Sequence, residues 1–108
     1  MLNNETIAAI ATPPGTGGIG VVRVSGKKTR IIAKHIIDGL PPKRTAVIRT
    51  FVNGAGEALD SGLAVYFQGP NSYTGEDVLE LQGHGGPGVL RLILRACIDA
   101  GARLAEPG

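Results

Sequence analysis

The stretch "TPPGTGGIGVVRVS", residues 12–25, decides the fold, because two architectures compete for it. Gly15, Gly17 and Gly20 have the spacing G-x-G-x-x-G. In a dinucleotide-binding fold such glycines follow a strand and open a helix, whose free N–H groups and dipole hold a pyrophosphate. A strand is available upstream, in the apolar run "TIAAIA" from Thr6 to Ala11. The helix is not. Gly20 is followed by "VVRVS", and the β-branched run from Ile19 to Ser25 reads as a second strand. Asp38 stands near the distance expected of a ribose-binding acid, but it ends a helical pattern instead of a strand. A P-loop is excluded too, since Gly26-Lys27 is followed by Lys28 and lacks the upstream glycine. The glycines therefore read as a tight bend between two strands, where residues without a Cβ permit positive φ and close backbone approach.

Working outward, "KKTRIIAKHIIDG" (27–39) repeats Arg30, Lys34 and Asp38 every four residues against Ile32, Ala33, Ile36 and Ile37. That pattern predicts an amphipathic helix with Gly39 at the C′ position and Pro41-Pro42 as its stop. "TAVIRTFV" and "GLAVYF" predict two strands joined through Asn53-Gly54, a hairpin signal on a connection longer than a minimal turn. "PNSYTGED" is a loop, and "VLELQ" alternates, with Leu79 and Leu81 on one side and Val78, Glu80 and Gln82 on the other. A last helix runs from near Pro87 to Gly101 with one narrow polar stripe of Arg91, Arg95 and Asp99. Such a helix is expected to be buried on most of its circumference, against a sheet or a partner chain. Strands followed by isolated helices, with hairpins in place of regular βαβ crossovers, put residues 1–108 in one α+β domain. The expected sheet is mostly antiparallel or mixed and carries two helices. The terminal "RLAEPG" reads as a chain that continues elsewhere.

Composition narrows the function classes. Apolar residues make up 43% of the 108 and charged residues 19%, as in ordinary globular domains. With two Tyr, two Phe and no Trp, the core is aliphatic and no aromatic platform exists for stacking bases. The net charge is only +2; Lys27, Lys28 and Arg30 cluster, as do Lys43 and Arg44, and groups of that size read first as solvated faces. A single cysteine, Cys97, excludes an internal disulfide and sits in an apolar run where a buried thiol is expected. No signal peptide and no run of 18 apolar residues is present, so the expected location is the cytoplasm, away from membranes. The sequon at Asn4-Glu5-Thr6 is then chance.

Few constellations suggest chemistry. "HGGP" (His84 to Pro87) lies between a strand and a helix in the manner of an esterase oxyanion loop, but no G-x-S-x-G accompanies it. A strand-to-helix turn is the simpler reading. Two His and one Cys, without carboxylates at ligand spacing, give no metal site, and no catalytic residue is assigned. Arg23 and Glu80 stand out more, each a charge inside a strongly strand-like run where burial without a partner is costly. Either they pair with each other or across a dimer, or they line a pocket and meet a polar ligand.

Three stretches, "ETIAAIATPPGTGGIGVVRVSG", "PNSYTGEDVLELQGHGGPGVL" and "GARLAEPG", resemble the N-terminal domain of the tRNA-modification GTPase family (MnmE, also called TrmE). The resemblance runs from about Glu5 to Gly108 and is generic only between Lys27 and Asp60. It implies a fold similar to the folate domain of the glycine-cleavage aminomethyltransferase, homodimerisation, and binding of 5-formyltetrahydrofolate or another tetrahydrofolate. The family's folate contacts fall on Arg23 and Glu80, with the loop glycines Gly17, Gly18 and Gly20 in support. Thr16 stands where that loop often carries a basic residue. A further family contact, a lysine, would lie beyond Gly108. GTP, Mg and K belong to a GTPase domain outside this segment. For the full protein the resemblance implies tRNA, with its wobble uridine as target, and an FAD-dependent partner of the MnmG (GidA) type. The alternative is a purely structural dimerisation domain without a ligand, in which Arg23 and Glu80 serve the fold.

Overall fold

In the structure, a computed structural model describing residues 5–11, 19–70, 72 and 75–105, Gly20 opens a strand and no helix starts there. The chain order is β1 (Ile7–Ile10), β2 (Gly20–Ser25), α1 (Thr29–Ile37), β3 (Val47–Val52), β4 (Ala58–Phe67), β5 (Val78–Gly83), α2 (Gly86–Asp99) and β6 (Arg103–Leu104). The strands form one six-stranded sheet in the order β3-β4-β5-β2-β1-β6. All neighbours are antiparallel except β1 and β6, which run parallel, so the sheet is mixed and the class α+β. From β2 the chain crosses through α1 to the far edge, then returns as the β3-β4-β5 meander until β5 pairs with β2.

Register sorts the side chains. Ala8, Val24, Leu79 and Tyr66 align across β1, β2, β5 and β4, and Val22, Leu81 and Ala64 align one step away. All of them are buried, and they form the core with Ile32, Ala33, Ile36 and Ile37 of α1 and Leu90, Ile93, Ala96 and Cys97 of α2. Both helices thus cover one face of the sheet. Because side chains alternate along a strand, Ala9, Arg23, Glu80 and Val65, aligned in the intervening register, occupy the opposite face.

Neither helix carries its own N-cap side chain; each borrows an acceptor from elsewhere. At α1, Thr6 Oγ1 accepts from the Lys28 N–H at 2.8 Å, and Thr29 Oγ1 donates to the Gly26 carbonyl at 2.7 Å. Gly26, at φ +138°, passes so close to Thr6 that a Cβ would fall 2.7 Å from its Cα. At α2 the acceptor is Asp60.

Several local expectations shift. The left-handed residue that ends α1 is Asp38, at φ 62°, one position before Gly39; an aspartate tolerates that conformation, and the Gly39 N–H closes the turn on the Ala33 carbonyl at 3.2 Å. The Asn53-Gly54 pair does not make a two-residue turn. Asn53 Oδ1 accepts from the N–H groups of Ala55 and Glu57, both at 3.0 Å, and the positive φ falls on Gly56. β4 consequently begins at Ala58, earlier than its apolar run suggests. On α2 the buried side is Leu90, Ile93, Ala96 and Cys97, while Leu92 is 53% exposed beside the arginine stripe. The helix lies on the sheet with a wide free sector, instead of being enclosed.

Candidate functional site: an ion pair on the sheet face away from the helices

Arg23 and Glu80, 57 residues apart in sequence, are direct cross-strand partners on β2 and β5. The guanidinium donates to Glu80 Oε2 twice, from Nε at 3.1 Å and from the terminal Nη2 at 2.8 Å. Their flanking register partners are Ala9 and Val65, so the pair sits in an apolar row. The Glu80 side chain is 11% exposed and that of Arg23 36%. Burial of this depth requires a partner for the carboxylate, and Arg23 supplies it. Both contacts use one oxygen, leaving Oε1 outside the guanidinium fork.

Gly20 separates from this pair. Gly17 and Gly18 lie outside the described residues. Gly20 aligns with Gly83 on the helix-covered face, and a Cβ there would fall 2.1 Å from Leu90 Cδ1. Its bare backbone makes room for α2, on the opposite side of the sheet from Arg23 and Glu80. Two clefts among the described residues also lie elsewhere. One, of about 310 Å³, is lined by Gly26, Lys27, Gly69, Gly75, Glu76 and Asp77; the other, of about 270 Å³, lies between the helices at His35, Ile36, Ala96 and Asp99.

One polar centre was not singled out in the sequence. Asp60 Oδ2 accepts from the N–H groups of His84 at 2.7 Å and Gly85 at 3.1 Å, and Oδ1 from that of Ser61 at 2.7 Å. Burial pushes this carboxyl up, but the three N–H donors outweigh it and hold the group below the usual carboxylate range. The "HGGP" segment is thus a strand-to-helix turn pinned by an aspartate from β4. His84 Nδ1 lies 3.3 Å from the Ser61 carbonyl, which fixes the ring against the same strand. An acidic residue at the start of β4 was the only available signal, and nothing in its neighbourhood marked the partner 24 residues on.

No helix among the described residues is long and apolar enough to cross a membrane. Sheet, helix layer and ion pair together define a small α+β domain of mixed topology whose only charged pair in the strand interior, among the described residues, lies on the face away from the helices. The sequence pattern of the family described as "GTP-binding protein TrmE N-terminus" matches residues 6–108, and the chain belongs to that family. Among similar proteins, the tRNA modification GTPase MnmE of Nitrosomonas eutropha is 56% identical over 108 residues, covering 100% of this chain and 24% of the relative. That of Saccharophagus degradans is 59% identical over 105 residues, 97% of this chain and 23% of the relative. The Chromobacterium violaceum protein of the same name is 58% identical over 104 residues, 95% and 23%. The chain spans about a quarter of the length of these curated relatives.

Proposed function

We propose that this chain is the part of a tRNA-modification GTPase that binds a tetrahydrofolate of the 5-formyl type and dimerises. The observation that carries the reading is the Arg23–Glu80 pair on the sheet face left uncovered by the helices. Such a pair is a poor stabiliser. With Arg23 36% exposed, its contribution is at most about 1 kcal/mol, offset by the desolvation of Glu80. An aliphatic pair would serve a sheet as well, so the charges are better accounted for by a ligand. A reduced pterin presents adjacent N–H donors from its ring amide and amino group, and an ionised carboxylate accepts both. Glu80 has that chemistry, and Arg23 has a rigid fork for a carbonyl or carboxylate oxygen of the same molecule. The donor and acceptor set therefore fits a folate. The helices leave this face to other partners, and a second copy of the chain is the partner we propose for it. Gly17 and Gly18, outside the described residues, are included in the proposed folate site. At the level of the whole protein we include a GTPase domain using GTP, Mg and K, an FAD-dependent MnmG-type partner, tRNA as substrate, and a cytoplasmic location.

A second reading has a specific observation in its favour: Arg23 already gives two hydrogen bonds to Glu80. In that reading the pair belongs to the fold and the domain only dimerises. Titration calorimetry with 5-formyltetrahydrofolate on the native chain and on Glu80→Gln separates the two. A lost charge-assisted bond of about 1.5–3 kcal/mol weakens folate roughly 10- to 150-fold. The ligand-free melting temperature should fall by no more than about 8 °C, the equivalent of roughly 1 kcal/mol. Unchanged affinity with a larger loss of stability establishes the structural reading, and a native chain that binds no folate refutes the first.

A further inference from the structure

We infer that the helix layer, on the opposite side of the sheet from the ion pair, is a surface that contacts the phosphate backbone of RNA. Charge is sorted by layer. The segment from Lys27 to Asp38 and helix α2 hold six cations (Lys27, Lys28, Arg30, Lys34, Arg91, Arg95) and two carboxylates (Asp38, Asp99), a surplus of four. The whole chain has a surplus of two, so the rest of the molecule has a deficit of two. All six cations are exposed.

At the start of α1 their placement works against the helix that carries them. α1 opens on Lys28 with Lys27 and Arg30 beside it, and neither helix has an acid in its first turn. Cations at the positive end of a helix dipole destabilise it, so this arrangement is explained better by an external anion than by the fold. Among the described residues Lys28, Arg30 and Arg91 pair with no carboxylate. Lys34 and Arg95 pair only with Asp38 and Asp99 of their own helices, at 2.7 and 3.1 Å and on exposed ground. Pairs of that kind are weak and exchange readily for a phosphate. The two helices present one surface: the Lys28 stem lies against Gly101, just past α2, where a Cβ would come within 3.6 Å of it.

The partner's chemistry follows. Phe51 and Tyr66 are buried, and Phe67 is half-buried in the register of the other face, so the described helix layer offers no ring on which a base could stack. Contacts would go to phosphates alone and would be indifferent to sequence. Ile31 and Leu92 stand singly among the cations, too little apolar surface to enter a bilayer. The family's relatives are named tRNA modification GTPases, which makes a structured RNA the polyanion of choice. This surface is independent of the folate reading, and its test uses a different ligand.

Fluorescence anisotropy with labelled bulk tRNA, between about 50 and 200 mM salt, tests it on the native chain, on K28A/R30A/R91A and on K43A/R44A as a control away from the helices. The logarithm of affinity for the native chain should fall by about 0.9 per contacted phosphate for each tenfold rise in salt. The triple variant should have a slope flatter by roughly three, one for each cation, and the control should keep the native slope. Poly-U and poly-A should compete about equally. A triple variant with the native slope, a native chain that ignores tRNA at the lower salt, or binding to phosphatidylserine vesicles without binding to RNA would each overturn the inference.

Discussion

Replacing Asp60 by alanine removes the acceptor of three backbone N–H groups at once, two of them at the entrance of α2. Gly85, the residue that caps this helix, has no side chain of its own to offer the first turn, and without Asp60 its N–H is left to water. Loss of an ordinary N-cap costs about 0.5–2 kcal/mol. Asp60 serves two N–H groups there and crowds the strand end, with Oδ2 only 2.8 Å from where a Cβ on Gly83 would stand. The upper part of the range, about 1–2 kcal/mol, is therefore expected, lowering the melting temperature by roughly 4–16 °C in a domain of this size. Asp60→Asn keeps an acceptor oxygen but loses the charge, and should cost about half as much.

The same residue gives a pH dependence with a definite sign. The folded carboxyl is held below its ordinary value, so its stabilising effect is complete above the unfolded carboxylate pKa of about 3.9 and is lost as pH falls through the folded value. Melting curves followed by far-ultraviolet circular dichroism should show a constant gap between the native chain and Asp60→Ala from about pH 5 to 7, closing below about pH 4. A gap that persists at low pH would show that the carboxylate charge is irrelevant. Equal stability at neutral pH would show that α2 needs no borrowed cap.

Two further tests address packing. Gly62→Ala places a Cβ 1.8 Å from the backbone carbonyl oxygen of Gln82, on the paired strand and unable to yield, and should cost about 3 kcal/mol or more. Gly20→Ala meets only the end of the Leu90 side chain, which can turn away, and should cost less, about 1–3 kcal/mol; urea midpoints in the reverse order would contradict this account. Cys97, fully buried and with its thiol pushed up to about 12 by burial, should resist Ellman's reagent at about pH 8 until urea unfolds the chain. Rapid labelling of the native protein would place it at the surface.

What was legible in the sequence was what local pattern controls. β-branched runs gave β2, β3 and the buried end of β4; a four-residue polar repeat gave α1; and the strand after Gly20 excluded a dinucleotide site. What escaped was fixed by partners distant in the chain. β6 is two residues long and exists only because the Arg103 N–H reaches the Thr6 carbonyl at 2.7 Å and the Ala105 N–H the Ala8 carbonyl at 3.0 Å. The caps of both helices come from Thr6 and Asp60, which no local signature could assign. The exposure of Leu92 depends on where α2 rests on β1 and β2, and its amphipathic pattern allowed a narrower free sector.

Arg23 and Glu80 show where that boundary runs. Each was conspicuous alone, because a charge inside a strand-like run needs an explanation. Their meeting was not, because it depends on the α1 crossover carrying the chain to the far edge and the β3-β4-β5 meander bringing it back in register with β2. A one-residue slip of β5 against β2 would turn Glu80 into the helix-covered core and move Leu79 and Leu81 out of it. The aliphatic residues on either side of Glu80 therefore set the register, and the register sets the pair. A site formed in this way is tied to the same contacts that make the core. Ile93→Ala, beneath the sheet, would cost stability without moving the two charges, while any change that shifts β5 along β2 would abolish fold and site together.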